Sequence, residues 1–383
     1  MSREVTSVRG RLVLDDHVEP GRIAIEDGWI GAVEPVDAGP DRAAGAAAAE
    51  EMPFLAPGFV DVHVHGGGGH DAMGGAAALD GMARHLLRRG VTGFLPTAVT
   101  APLPSLVAFA ETVREWLPGA SVDGAEPLGF NLEGPFIAPK RKGAHNPDWL
   151  LEPANVAWSQ IEPLVDGLRL TTIAPEIPGG LELIARLTAL GVRVAVGHSA
   201  ATLAGAIAGY EAGATTTTHL FNAMTGIEHR GPGVVVAALT RDDAYVELIA
   251  DGEHVDPAIW PIITRVKPQR RLLLVSDAVS LAGTGDGRSD IGGLEVEVRG
   301  QRCTIVGAET LAGSVIALDS AVRNLVQHGA TLAAAVAAAS SNPVEMLGIT
   351  DRGRIAYGQL ADLVELDGDL VVRHVMRHGV WVR

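Results

Sequence analysis

Short apolar runs recur through the middle of this chain, separated by Ala- and Leu-rich stretches of helical period. FVDVHVH (59–65), VTGFLPTAV (91–99), LGFNLEGPF (128–136), LRLTTIAPE (168–176), VRVAVGHS (192–199), ATTTTHLFNA (214–223), AYVELIADGEHV (244–255) and RLLLVSDAV (271–279) read as eight strands, and Phe59, Val60, Val62 and Val64 mark the first as buried on both faces. Helices lie between most of them. Among these are ALDGMARHLLRRG (78–90), LELIARLTALG (181–191) and ATLAGAIAGYEAG (201–213), the last two ending on a Gly suited to a helix C-terminus. The alternation over 57–352 predicts an α/β fold, a (β/α)8 TIM barrel, whose active sites sit at the carboxyl ends of the strands. A doubly wound open sheet is the rival, and it lacks the G-x-G-x-x-G turn that would follow its first strand. The flanks have a different rhythm. RGRLVLDD (9–16), GRIAIEDGWIGAVEP (21–35) and the C-terminal run from Gly353 are short β-rich pieces broken by Gly and Asp turns. They predict a small β-sandwich domain built from both termini, residues 1–56 and 353–383, with the low-complexity run 36–51 as a surface loop.

The polar residues within the apolar runs carry the chemistry. His63 and His65 alternate with Val62 and Val64, so the two imidazoles share one face of the first strand, where leaving them unpaired would be costly. Glu133 closes the third strand, His198 the fifth, His219 the sixth and Asp277 the eighth. A single His at a strand end is more often a hydrogen-bonded structural residue, but in a barrel all of these ends converge on one mouth. Glu133, His198 and His219 supply one carboxylate and two imidazoles, a set suited to catalytic Zn²⁺ with a position left open, and Fe, Mn or Co takes the same donors. Asp277 is the candidate general acid/base beside that metal.

Composition narrows the partners. A formal net charge of −16 argues against a nucleic acid or an anionic membrane, and means that an anionic substrate needs a local basic pocket. Cys303 is the single cysteine, which excludes an internal disulfide framework. The N-terminal residues have scattered charges and no apolar signal core, and no run is long enough to span a membrane, so a cytoplasmic protein is expected.

The motifs PGFVDVHVHG (57–66), NLEGPFI (131–137), KGAHN (142–146), VAVGHSAAT (194–202), THLFNAM (218–224), HRGPGVV (229–235), LVSDAV (274–279) and TLAGS (310–314) occur in that order. In them the chain resembles the amidohydrolase superfamily, and within it the deacetylases of amino-sugar phosphates. The resemblance implies hydrolysis of the acetamide of N-acetyl-D-glucosamine 6-phosphate to D-glucosamine 6-phosphate and acetate. It also implies a second metal position, at His63 and His65, that shares Glu133 as a bridge. Many superfamily members bridge with a carboxylated lysine on the fourth strand; here that strand has none, and Lys140 and Lys142 lie in a loop. By the same resemblance His145 polarises the amide carbonyl, and Arg230 and His254 hold the phosphate. Ala144, Asn222 and Ala223 contact the sugar or phosphate, and Leu311 and Ala312 of TLAGS form a wall. A homodimer is implied, with Arg230 reaching the neighbouring site. Neither His70 nor Asp71 is expected to be a ligand. Two other readings stand beside this one: a dihydroorotase-like or D-aminoacylase-like enzyme, and a non-catalytic barrel scaffold, which would usually have lost the ligands this chain keeps.

Overall fold

The computed structural model describes residues 5–35 and 52–382. Its barrel strands are Phe59–Val64, Val91–Val99, Phe130–Glu133, Leu168–Ile173, Arg193–Val196, Thr216–Thr217, Tyr245–Leu248 and Leu272–Leu274, each parallel to the next in chain order. All eight lie inside the runs read from the sequence. Between the eighth strand and the first, no ladder forms. Asp277 N donates to His63 O at 2.8 Å and His65 N donates to Ala278 O at 2.9 Å. Beneath them Asp61 Oδ1 accepts from the backbone amides of His63 and Ser276, each at 3.3 Å, and burial pushes its carboxyl up to about 6. This seam binds the H-x-H segment directly to the segment carrying Asp277.

Helix Ala76–Arg88 buries Leu79, Met82, Ala83, Leu86 and Leu87, the spacing of one helical stripe laid on the strands. Gly180–Ala189 and Leu203–Glu211 match the other two expected helices, and the second is capped by Thr202, whose hydroxyl accepts from Gly205 N at 3.3 Å. Gly197, just before His198, has no room for a side chain: a Cβ there would lie 2.6 Å from Thr218 Cβ and 2.8 Å from Thr172 Cγ2. The hydrogen bond between the Thr172 and Thr218 hydroxyls (2.8 Å) passes beneath it, so a small residue is required for His198 to reach the mouth.

After the eighth strand the chain makes an antiparallel sheet that the sequence reading did not foresee: Gly287–Ile291, Leu294–Arg299 and Arg302–Ile305. Val296, Val298 and Cys303 pack from it against Val99 and Val279, a small core that sets this flap over the barrel mouth. Cys303 is a buried free thiol, its pKa pushed up to about 12 chiefly by burial.

The two termini do combine. Their strands form one seven-stranded sheet in the order Val380–Trp381, Val372–Arg377, Leu363–Leu366, Phe54–Pro57, Val5–Val13, Val18–Glu26, Trp29–Pro35. The sheet curls back on itself, because Ile30 N donates to Gln359 O and Ala361 N to Gly28 O, both at 2.8 Å. Side-chain alternation then serves two cores. Leu12, Leu55, Leu363 and Met376 fill the interior of the curl, while Val13, Ala56, Val364 and Val375 join the barrel's core. Glu126 adds a polar weld, 2.9 Å from Arg352 and 3.0 Å from His378; although burial opposes its charge, these two partners hold its carboxyl down at about 2. The run 36–51 lies outside the described residues. Among the described residues no helix is long and apolar enough to cross a membrane.

Candidate active site

Five strand ends deliver their side chains to one point at the barrel mouth. Glu133 Oε1 lies 2.9 Å from His198 Nε2 and 2.8 Å from His219 Nε2. Its other oxygen, Oε2, lies 3.2 Å from His65 Nε2, 3.3 Å from His145 Nε2 and 3.6 Å from His63 Nε2. Asp277 Oδ1 is 3.2 Å from His65 Nε2 and 3.5 Å from His63 Nε2. The potential ligand atoms fall into two groups, His63, His65, Glu133 and Asp277 in one and Glu133, His198 and His219 in the other, each with all atoms within 4.8 Å of one another. Glu133 belongs to both. His198 (φ 46°), His219 (φ 23°) and Asp277 (φ 50°) all have positive φ, which L-residues adopt reluctantly and which clusters at functional sites.

At three of the imidazoles the outer nitrogen fixes what the inner one offers, while His219 Nδ1 is buried without a hydrogen-bond partner. His63 Nδ1 is 3.0 Å from Glu247 Oε2, His65 Nδ1 is 3.1 Å from Thr97 O, and His198 Nδ1 is 2.8 Å from Arg141 O. Carbonyl and carboxylate oxygens only accept, so in the neutral rings the proton sits on Nδ1 and Nε2 presents a bare lone pair to the cluster. Three lone pairs thus face carboxylate oxygens at the same point, and His63 Nε2, fully buried, has no hydrogen-bond partner. Repulsion on this scale is relieved by a cation. The donor set therefore fits a divalent metal, with Nε2 atoms and carboxylates inward and Nδ1 atoms held from outside. The protein's own charges point the same way. Burial disfavours a charge on His63 and His65, yet the surrounding carboxylates raise both, His65 to about 9. Glu133 and Asp277 are held low against the same burial, chiefly by His63. The pocket attracts positive charge, and protons and metal compete for it.

Glu247 was not singled out by sequence reasoning. It lies fully buried in the seventh strand, and besides His63 it accepts from His219 N at 3.1 Å. It orients ligands of both groups without entering either. Glu247→Gln is expected to lower metal affinity by about 10–100-fold, the usual cost of losing an outer-shell partner, with the fold retained; metal titration followed by circular dichroism on the same protein checks both.

The cluster floors a cavity of about 450 Å³. Ala144, His145, Asn222, Ala223, His254 and Leu311 line it, and so do Lys140 and Arg141, which supply the basic character missing from the chain as a whole. His145 is buried; desolvation and the neighbouring His198 hold it down at about 4, so it stands neutral, with Nδ1 2.7 Å from the Thr100 hydroxyl. His254 is oriented by Asp251, whose Oδ2 lies 2.7 Å from its Nδ1. Asn222 spends its amide hydrogens on the carbonyls of His219 and Leu220. Two expected residues lie elsewhere. Ala312 is fully buried in the flap's small core, while Glu309, Thr310, Leu311 and Gly313 around it stand on the cavity wall. Arg230 is exposed on the segment 227–231 and takes no part in lining this cavity.

A family model described as the amidohydrolase family matches residues 54–382. The N-acetylgalactosamine-6-phosphate deacetylase of Escherichia coli O157:H7 is 39% identical over 373 residues, covering 96% of this chain and 94% of that protein. The N-acetylglucosamine-6-phosphate deacetylase of Mus musculus is 41% identical over 353 residues, covering 86% and 83%. Among solved structures, a mutant N-acetyl-D-glucosamine-6-phosphate deacetylase from Mycobacterium smegmatis in complex with N-acetyl-D-glucosamine-6-phosphate superposes with a TM-score of 0.89 at 34% identity, covering 99% of each chain.

Proposed function

Because this chain belongs to the amidohydrolase family, we propose that it hydrolyses the acetamide of N-acetyl-D-glucosamine 6-phosphate, releasing acetate and D-glucosamine 6-phosphate. The observation that carries this reading is the convergence of Glu133, His198 and His219 on one point at the floor of a cavity, with Asp277 close by. The relatives named above supply the substrate class. Glu133, His198 and His219 would hold one divalent ion and His63, His65 and Glu133 a second; zinc suits the histidine-rich set best, and Fe, Mn or Co fits the same donors. Such an ion supplies the Lewis acidity that makes water nucleophilic at neutral pH.

The chain's own groups do the rest. Asp277 accepts a proton from the attacking water and returns it to the amide nitrogen as the carbon–nitrogen bond breaks, so the amine leaves neutral. In the tautomer whose Nδ1 accepts from the Thr100 hydroxyl, His145 carries its proton on Nε2, on the Glu133 side of the cavity, where it would stabilise the oxygen that gains charge as the carbonyl is attacked. With a proton on both ring nitrogens, His254 donates Nδ1–H to Asp251 and Nε2–H to the phosphate, and Lys140 and Arg141 make the entrance attractive to an anion. Exposed Arg230 suits a homodimer in which it completes a neighbour's phosphate site, and the buried free Cys303 suits the reducing cytoplasm.

Acetate release from phosphorylated and unphosphorylated N-acetylglucosamine tests the substrate directly. The phosphorylated sugar is expected to react faster by about 10²-fold or more in kcat/KM, since an Arg or His pair left without its anion forfeits charge-assisted hydrogen bonds. Arg230→Ala should narrow that gap without changing the rate on the unphosphorylated sugar. Equal rates in the wild type would remove His254 and Arg230 from the account. The E. coli relative, which covers more of this chain than the mouse one, favours a second reading in which the 4-epimer is the better substrate; the ratio of kcat/KM for the two epimers decides it.

A further inference from the structure

A second cavity, of about 430 Å³, adjoins the active-site cavity, and we infer that it receives the acyl chain of N-acyl hexosamine 6-phosphates whose acyl group is longer than acetyl. The inference rests on the deacetylase reading above. The two cavities share three lining residues, His65, Val99 and Ile291. His65 places the second cavity against the reacting centre, and Val99 and Ile291, only 5% and 6% exposed, form a thin apolar partition beside it. In a planar trans secondary amide the sugar carbon and the acyl chain lie on opposite sides of the C–N bond. With the sugar phosphate held toward His254, the acyl chain is aimed away from it, toward this partition. Beyond the partition Met73 and Trp149 offer apolar, adaptable walls. The roof is the flap's hairpin, and only glycine fits there: a Cβ on Gly292 would lie 2.9 Å from Val99 Cγ1, and one on Gly293 2.6 Å from Trp149. The chamber is thus a built feature of the flap's docking. Asp71 and Asp290 also line it, so an uncharged acyl chain is accepted while the carboxylate formed by hydrolysis is repelled.

The test uses N-acetyl- and N-hexanoyl-D-glucosamine 6-phosphate with the metal-loaded full chain, reading the free amine released, a signal that does not depend on the acyl group. Wild type is expected to hydrolyse the hexanoyl compound with kcat/KM within about 10²-fold of the acetyl one, because a closed apolar pocket rejects additional methylenes far more steeply. Ser105 lines the chamber from the exposed first turn of helix Leu103–Trp116, where a large side chain does not disturb the core. Ser105→Trp should lower the hexanoyl-to-acetyl ratio at least about tenfold with the acetyl rate unchanged, and Val99→Ala, which opens the partition, should raise it by about as much. A ratio unmoved in both variants, or no hexanoyl hydrolysis by a wild type active on the acetyl compound, would overturn the inference. A wild type inactive on both compounds would instead overturn the deacetylase reading.

Discussion

Asp277→Asn is expected to lower kcat for acetate release by about 10²–10⁴-fold, the range for losing a positioned acid/base, while the metal proposed at Glu133, His198 and His219 stays at wild-type occupancy. The substitution keeps the shape of the side chain and removes its ability to carry a proton. Asp277 belongs to the group of His63, His65 and Glu133 and lies outside the His198–His219 pair, so the latter retains all its donors. The backbone bonds that fix the residue, Asp277 N to His63 O and Ser314 N to Asp277 O, both 2.8 Å, do not involve its carboxylate. Turnover measured beside elemental analysis of the same preparation separates the outcomes. An active Asn variant would sink the proton-carrier assignment.

Glu133→Gln is expected to cost more, because this carboxylate is the member common to both ligand groups. One oxygen faces His198 and His219, and the other faces His65 and His63. The amide loses the negative charge that attracts a cation and turns one bridging oxygen into an N–H donor pointed at ring nitrogens. Metal affinity should fall by more than about 10²-fold, beyond the 10–100-fold expected for outer-shell partners such as Glu247, and activity should fall with it. Equilibrium dialysis against the metal gives the affinity. Wild-type retention of both ions would show that Glu133 does not bridge.

How much of this was legible in the sequence depends on whether a residue's role is set by its own strand or by distant backbone. The eight strands and the candidate ligands at their ends were legible, since period and placement are local. Glu247 was legible in principle: a carboxylate inside YVEL, buried on both sides, carries the same desolvation cost that drew attention to His63 and His65. Mid-strand position, rather than strand end, hid it. The groups that orient His65 and His198 are carbonyls of Thr97 and Arg141, which no side-chain pattern announces. The flap was overlooked because its strands are short and half polar, although Gly292–Gly293 is a hairpin signal. Lys140 and Arg141 read as plain loop residues until the fold carried that loop to the cavity. Arg230 is a different matter: it is exposed on the segment 227–231 and does not line this chain's own cavity.

The claim on which the rest depends is that the strand tips gather Glu133, His198 and His219 around a cation required for amide hydrolysis. Elemental analysis of the purified protein before and after exhaustive chelation, with acetate release from N-acetylglucosamine 6-phosphate measured on each sample and again after metal is restored, tests it most directly. The expected result is at least one divalent ion per chain, activity lost in proportion to metal removed, and activity regained on reloading. Full turnover by protein that carries no metal would contradict it.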